Sequence, residues 1–206
     1  VSAPREIRLD EAEHVYTLNG VRVKSVTEII RGMVRFAGAR PEDVEAAADR
    51  GKAADRAVEI IANGRALEPS SVHPSINPYI AAFKAFLVDN PGFRCIETQV
   101  RVSHVGLLYC GTLDIFGRLR PAGKNGVFDV KCTATCPLTV GPQTAGYAGA
   151  IAEEFGFRFQ DLDRYALWLR RDGTYRLVPQ RSANDWHVFC SALTLTRWCD
   201  ANGIKL

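Results

Sequence analysis

The segment Val127-Phe-Asp-Val-Lys131 sets two charges into a short apolar run, and this constrains the fold more than any other feature of the chain. It follows the clear turn Pro121-Ala-Gly-Lys-Asn-Gly126 and reads as a strand. Alternation along a strand puts Asp129 and Lys131 on one face. Burying an acid and an amine beside Val127, Phe128 and Val130 is costly unless the two are paired or used. Asp114 has a similar setting, after Gly111-Thr-Leu and before Ile115-Phe116. Two carboxylates and one lysine on neighbouring strands make a candidate site for a hard cation. Oxygen ligands suit Mg²⁺ or Mn²⁺ and not zinc, and the Val130 carbonyl could add one more. The chemistry such a site serves is phosphodiester hydrolysis, with Lys131 stabilising developing negative charge or orienting the attacking water. The competing reading is a structural ion pair on an exposed strand face, because the DxK spacing is short and common.

The remaining pattern supplies the setting. His14-Val-Tyr-Thr-Leu18 and Val21-Arg-Val23 flank Asn19-Gly20, a hairpin with a type I′ turn. Ser25-Val-Thr-Glu28 matches a capping box, and a helix follows. Pro41 opens a second helix that runs to about Ala62 and stops at Asn63-Gly64; Tyr79 to Val88 forms a third. The chain then changes character. Strands are expected over Cys95–Val102, Leu107–Cys110, Thr112–Leu119 and Val127–Lys131. A helix over Pro142–Phe155 follows, then a hairpin of Tyr165–Leu169 and Thr174–Val178, then a closing helix from Ser182 to about Ala201. This order predicts an α/β (α+β) fold in which a central mixed sheet is flanked by helices, and not a doubly wound array. A single domain over 1–206 is expected, with the hairpin and helices at about 1–92, a core at about 93–180 and the closing helix at about 182–202. The three tryptophans, Trp168, Trp186 and Trp198, read as core residues.

Bulk properties narrow little. The 206 residues are 47% hydrophobic with a net charge of +3, compatible with a nucleic-acid partner without arguing for one. Arginines at 158, 164, 170, 171, 176 and 181 mark a basic stretch that is either a solvated surface or a phosphate-facing stripe. No secretory segment and no apolar run of spanning length is seen, so a cytoplasmic location without membrane attachment, and reduced thiols, are expected. The six cysteines lack zinc spacing, and Cys190 and Cys199 have no third cysteine nearby, so no iron–sulfur cluster is expected.

Gly111-Thr-Leu-Asp114, then Phe128-Asp-Val-Lys131, then Gln143-Thr-Ala-Gly-Tyr147 resembles the PD-(D/E)XK nuclease superfamily, in particular its RecB-like and phage exonuclease branch, where GxxD, DxK and a helical QxxxY follow in that order. The likeness is dense from about Glu97 to Tyr147. It implies a restriction-endonuclease-like core and a Mg²⁺-dependent deoxyribonuclease, first of all an exonuclease of phage or recombination type. An endonuclease of the same fold, or a catalytically silent DNA-binding protein, is the alternative. It also implies that DNA is the partner, with a recombination protein or further copies of the chain as additional ones. The resemblance makes Asp114 and Asp129 metal ligands and Lys131 the catalytic lysine. It lets Gln143 and Tyr147, four apart on one helix face, reach the DNA backbone or the site. Glu97 is a possible accessory carboxylate. The chain departs from the pattern at Arg50-Gly-Lys-Ala-Ala-Asp55. Family members often place a metal-binding His where Asp55 stands, so Asp55 is either a substitute ligand or a plain helix-surface residue; Arg50 is a candidate DNA contact.

Overall fold

The computed structural model describes residues 5–34, 41–68, 70 and 72–204, with the backbone alone at 34 and 41–48. Its sheet has eight strands. Three short ones come first: β1 (Ile7–Asp10), β2 (Val15–Leu18) and β3 (Val21–Ser25). Asn19 and Gly20 both have positive φ (51° and 79°), as the expected type I′ turn requires. The capping box forms reciprocally at the start of α1 (Val26–Val34). The Glu28 backbone N–H donates to Ser25 Oγ (3.1 Å), and the Ser25 N–H donates to Glu28 Oε2 (2.7 Å). Helices α2 (Pro41–Ala62) and α3 (Asn77–Asp89) follow.

The core is an antiparallel run of β4 (Arg94–His104), β5 (Tyr109–Arg118) and β6 (Asn125–Lys131). Helix α4 (Val140–Phe155) then crosses over to β7 (Asp163–Leu169), which pairs parallel to β6. Strand β8 (Tyr175–Pro179) and helix α5 (Asn184–Ala201) complete the chain. Helices α1, α4 and α5 bury Val26, Ile29, Ala148, Ile151 and Phe189 with Val127 on one face of the sheet. On the other face, α2 and α3 bury Val58, Phe83 and Phe86 with Phe128, Val130 and Leu167. The mixed α/β architecture is the expected one. Strand β1 was not expected; its Ile7 and Leu9 alternate with Arg8 and Asp10, but over only four residues.

One strand replaces two expected ones. Leu107–Cys110 and Thr112–Leu119 were separated at Gly111, but β5 runs straight through it. The break is at the hairpin turn instead, where Leu108 adopts φ 47°. Gly111 is there to make space: a Cβ at this position would lie 2.7 Å from the Tyr147 ring and 3.0 Å from Val26. Glycines also let α4 and α5 meet, since side chains at Gly146 and Gly149 would collide with Phe189 and Trp186. Trp186 thus sits in packing as expected, whereas Trp198 is exposed on the outer side of α5.

The pairing of β5 shapes the site. Strand β4 pairs along its whole length, so β3 and β6 share its other edge. Strand β3 holds Tyr109 and Cys110, and β6 holds Ile115 to Arg118. Between them, from Gly111 to Asp114, this edge has no strand beside it.

Gly111→Ala is expected to destabilise the protein by about 1–3 kcal/mol, because the Tyr147 ring must shift within a packed core. Gly51 lies within α2 with open space around a would-be Cβ, so Gly51→Ala should raise stability by about 0.5–1 kcal/mol. Urea titrations of both variants give the two signs; equal effects would contradict this packing.

Candidate active site at the open edge of the sheet

Asp114 sits where β5 loses its partner. The Val130 backbone N–H donates to Asp114 Oδ2 (2.7 Å), so a side chain fills the ladder position where β6 peels away. Side-chain alternation also changes phase here. Leu113 packs with the α1/α4/α5 core and Ile115 with the α2/α3 core, although strict alternation would put both on one face. Strand β4 makes the same switch. Val100 and Val102 face the first core, while Thr98 Oγ1 accepts a hydrogen bond from Asn63 at the end of α2. Between them Gln99 has φ 52°, a left-handed conformation unusual for a strand residue. Its side chain hydrogen-bonds the Asp114 carboxylate.

Asp129 and Lys131 share the face of β6 expected of them. The Lys131 ammonium lies 2.6 Å from Asp129 Oδ2, with Asp129 buried and Lys131 nearly so. This is a buried pair, not one on an exposed strand face. The Lys131 ammonium is the one ion-pair partner of Asp129 among the described residues, and it hydrogen-bonds that carboxylate as well.

Asp55 belongs to this group. From α2, on the opposite layer to α4, it faces Asp114, Lys131 and Asp129. It is not a plain surface residue of its helix. Burial first, then Asp114 and Asp129, push its carboxyl up to about 8, against the pull of Lys131. Asp114 is pushed up to about 7 by burial and Asp129, against Lys131, the Val130 N–H and Gln99. Burial raises Asp129 too, opposed by Lys131. For Lys131, burial is the largest single influence and pulls the ammonium down, but the three carboxylates together outweigh it and hold it above its ordinary value. The lysine therefore stays charged.

From the other layer come Gln143 and Tyr147. Gln143 hydrogen-bonds the Tyr147 hydroxyl, and the fields of Asp129 and Asp114 act on that hydroxyl. At 8% and 3% exposure, neither side chain is open to a DNA backbone. Of the two expected reaches, DNA backbone or site, the side chains lie toward the site, beside the carboxylates, with the Tyr147 ring held on Gly111.

Other expected residues fall differently. Glu97 is exposed; it acts on Cys95 but not on the three aspartates, and Gln99 stands at Asp114 in its place. Arg50 makes no ion pair among the described residues and does not line the cleft over Asp55 and Asp114. That cleft, about 400 Å³, is bordered instead by Lys52, Arg56 and Arg101. Sequence reading missed Gln99, Lys52, Arg56 and Arg101. Half of the arginine stripe is engaged in ion pairs. Arg158 pairs with Asp161, Arg170 with Asp172, and Arg164 is buried against Asp185. A larger cleft, about 1010 Å³, lies at the other end of β6 and β7 and contains none of the three aspartates.

As the side chains lie, no three acidic, histidine or cysteine groups among the described residues stand together closely enough to cage a metal. The charge balance nonetheless fits a divalent cation. Three carboxyl groups face one ammonium, so with all three ionised two negative charges would be left over, which a divalent cation offsets. Asp55, Asp114 and Asp129 are the residues that would hold it, all with the hard oxygen ligands that suit Mg²⁺ or Mn²⁺. No protein-family model matches the chain, and no curated protein matches it.

The raised carboxyls carry a pH signature. Between about pH 4 and 8 the folded protein holds protons on Asp55 and Asp114 that the unfolded chain releases. Their contribution is thus most favourable at the acid end and declines as pH rises through about 7 to 8. In chelator-containing buffer, the melting temperature should fall from pH 6 to pH 9, and Asp55→Asn should flatten that fall. An unchanged slope in the variant would place Asp55 outside the cluster.

Proposed function

We propose that the protein is a divalent-metal-dependent deoxyribonuclease on a restriction-endonuclease-like core. One observation carries this reading: Asp55, Asp114, Asp129 and Lys131 meet from three elements at the vacant edge of β5, three carboxyl groups around a single ammonium. Further support comes from the order Gly111…Asp114, Asp129-Val-Lys131, Gln143…Tyr147, all of it carried by β5, β6 and α4.

A bound Mg²⁺ or Mn²⁺ would polarise a phosphoryl oxygen and lower the pKa of a bound water. The chain's own residues do the rest. Asp55, Asp114 and Asp129 supply the anionic cradle. Val130 N–H and Gln99 fix the rotation of Asp114. Lys131, kept protonated by its neighbours, offers a fixed positive charge where negative charge builds on the phosphate. Gln143 and Tyr147 wall the carboxylates on the α4 side and keep bulk water away. Lys52, Arg56 and Arg101 at the cleft mouth lie where the flanking phosphates of a strand would pass.

Linear duplex, single-stranded and closed circular DNA, incubated with Mg²⁺, Mn²⁺ or EDTA, test the reading. Loss of linear DNA alone supports an exonuclease, and cutting of closed circles moves the assignment to an endonuclease. Intact DNA with every metal would sink the enzyme reading and leave a silent DNA-binding protein. Lys131→Ala should lower turnover by at least about 100-fold while circular dichroism shows a retained fold.

Cation binding has its own readout. Mg²⁺ or Mn²⁺ should raise the melting temperature of the wild type, more at pH 8 than at pH 6 because protons compete for the same oxygens. Asp114→Asn/Asp129→Asn should abolish that shift.

A further inference from the structure

A cleft of about 1010 Å³ is not used by the proposed nuclease centre. It opens at the start of β6 and β7. Gly126 and Asp163 pair at this end and Lys131 and Trp168 at the other, about 17 Å away along the strands. Its walls come from two separate parts of the chain. The turn between β5 and β6 brings Arg120 and Lys124, and the connection from β8 to α5 brings Arg181.

These cations are not used by the fold. Arg120 and Arg181 are exposed, and their side chains have no ion pair or hydrogen bond among the described residues. The Lys124 ammonium donates only to the Gln160 carbonyl (2.8 Å). Arg164, deeper in the cleft, is already engaged: it pairs with Asp185 (3.0 Å) and donates to the Gly141 and Ser182 carbonyls. The single carboxylate in the cleft, Asp163, accepts the Tyr165 hydroxyl (3.2 Å). Among the described residues, three cations without an ion pair therefore face one carboxylate. Arg120 and Arg181 both line this cleft, and both act on the Tyr165 hydroxyl. Between the cations the lining is aromatic: Tyr165, half-buried and stacked on Phe128 (4.8 Å), and Trp186, half-buried and packed on Phe159 (5.6 Å). Unneutralised cations interleaved with fixed aromatic rings match the two parts of a nucleotide, its phosphate and its base.

We infer that this cleft binds a nucleotide phosphate, with Arg120, Lys124 and Arg181 around the phosphate and Trp186 and Tyr165 along the base. The ligand is either a free nucleotide or one residue of a nucleic-acid strand. The inference stands apart from the nuclease reading, because it uses none of Asp55, Asp114, Asp129 or Lys131.

Titration calorimetry on the full chain in EDTA, with thymidine 5′-monophosphate in one arm and an eight-residue oligothymidylate in the other, tests it. Saturable binding in at least one arm is expected, with affinity falling at least about tenfold in Arg120→Ala/Arg181→Ala. Both side chains are exposed and unpartnered, so this variant keeps the fold, which a melting curve checks. Asp129→Asn should bind like the wild type, so failure of the nuclease reading leaves this result untouched. Binding of the mononucleotide identifies a free-nucleotide site, and binding of the oligomer alone identifies a strand path. No saturable binding of either probe up to about 1 mM, or equal affinity in the wild type and the double arginine variant, overturns the inference.

Discussion

The structure turns on the burial of three carboxyl groups around one lysine. Asp55, Asp114 and Asp129 are each pushed toward their neutral forms, while Lys131 is held firmly charged. A fold built only for stability would fill this space with apolar side chains, because a buried ion cluster with surplus charge opposes folding. The surplus is what marks the place as a site. It also explains the neighbouring hydrogen bonds: the Val130 N–H and the Gln99 side chain both favour ionised Asp114 against the burial that disfavours it.

Such a cluster needs access from both layers of the molecule, and the sheet provides it by leaving part of one edge open. Strand β3 and strand β6 each cover an end of β5, and the stretch between them is left for Asp55 to approach from α2 and for Tyr147 from α4. Gly111 belongs to the same arrangement, because the ring of Tyr147 lies where its side chain would be. The glycine at the head of one motif is thus a steric requirement of the tyrosine at the end of another. Gln99 and Asp114 mark the point where two paired strands exchange the faces they present, and the left-handed φ of Gln99 is part of that exchange.

Charge is distributed over the surface in two separate places. At the carboxylate cleft the cations Lys52, Arg56 and Arg101 surround an acidic floor. At the far end of β6 and β7 the balance reverses, with cations in excess among aromatic rings. The overall charge of +3 reveals neither, because opposite local excesses cancel in the sum.

What the sequence determined by itself is what short-range physics controls. The type I′ turn at Asn19-Gly20, the capping box at Ser25 and Glu28, the stop at Asn63-Gly64 and the shared face of Asp129 and Lys131 follow from backbone sterics and from periods of two and 3.6 residues. Asp114, Asp129 and Lys131 were legible for that reason: charges in apolar strands are locally anomalous. The tertiary structure alone decided the rest. It brought Asp55 from a helix of ambiguous surface polarity into the carboxylate group. It put Gln99 where Glu97 was expected, buried Gln143 and Tyr147, and ran β5 through a glycine that looked like a break. Each of these depends on which distant segment lies alongside, and on a phase change in two strands that no periodic pattern encodes. Contacts made across many residues of chain leave no local signature, so they become visible only once the layers are packed.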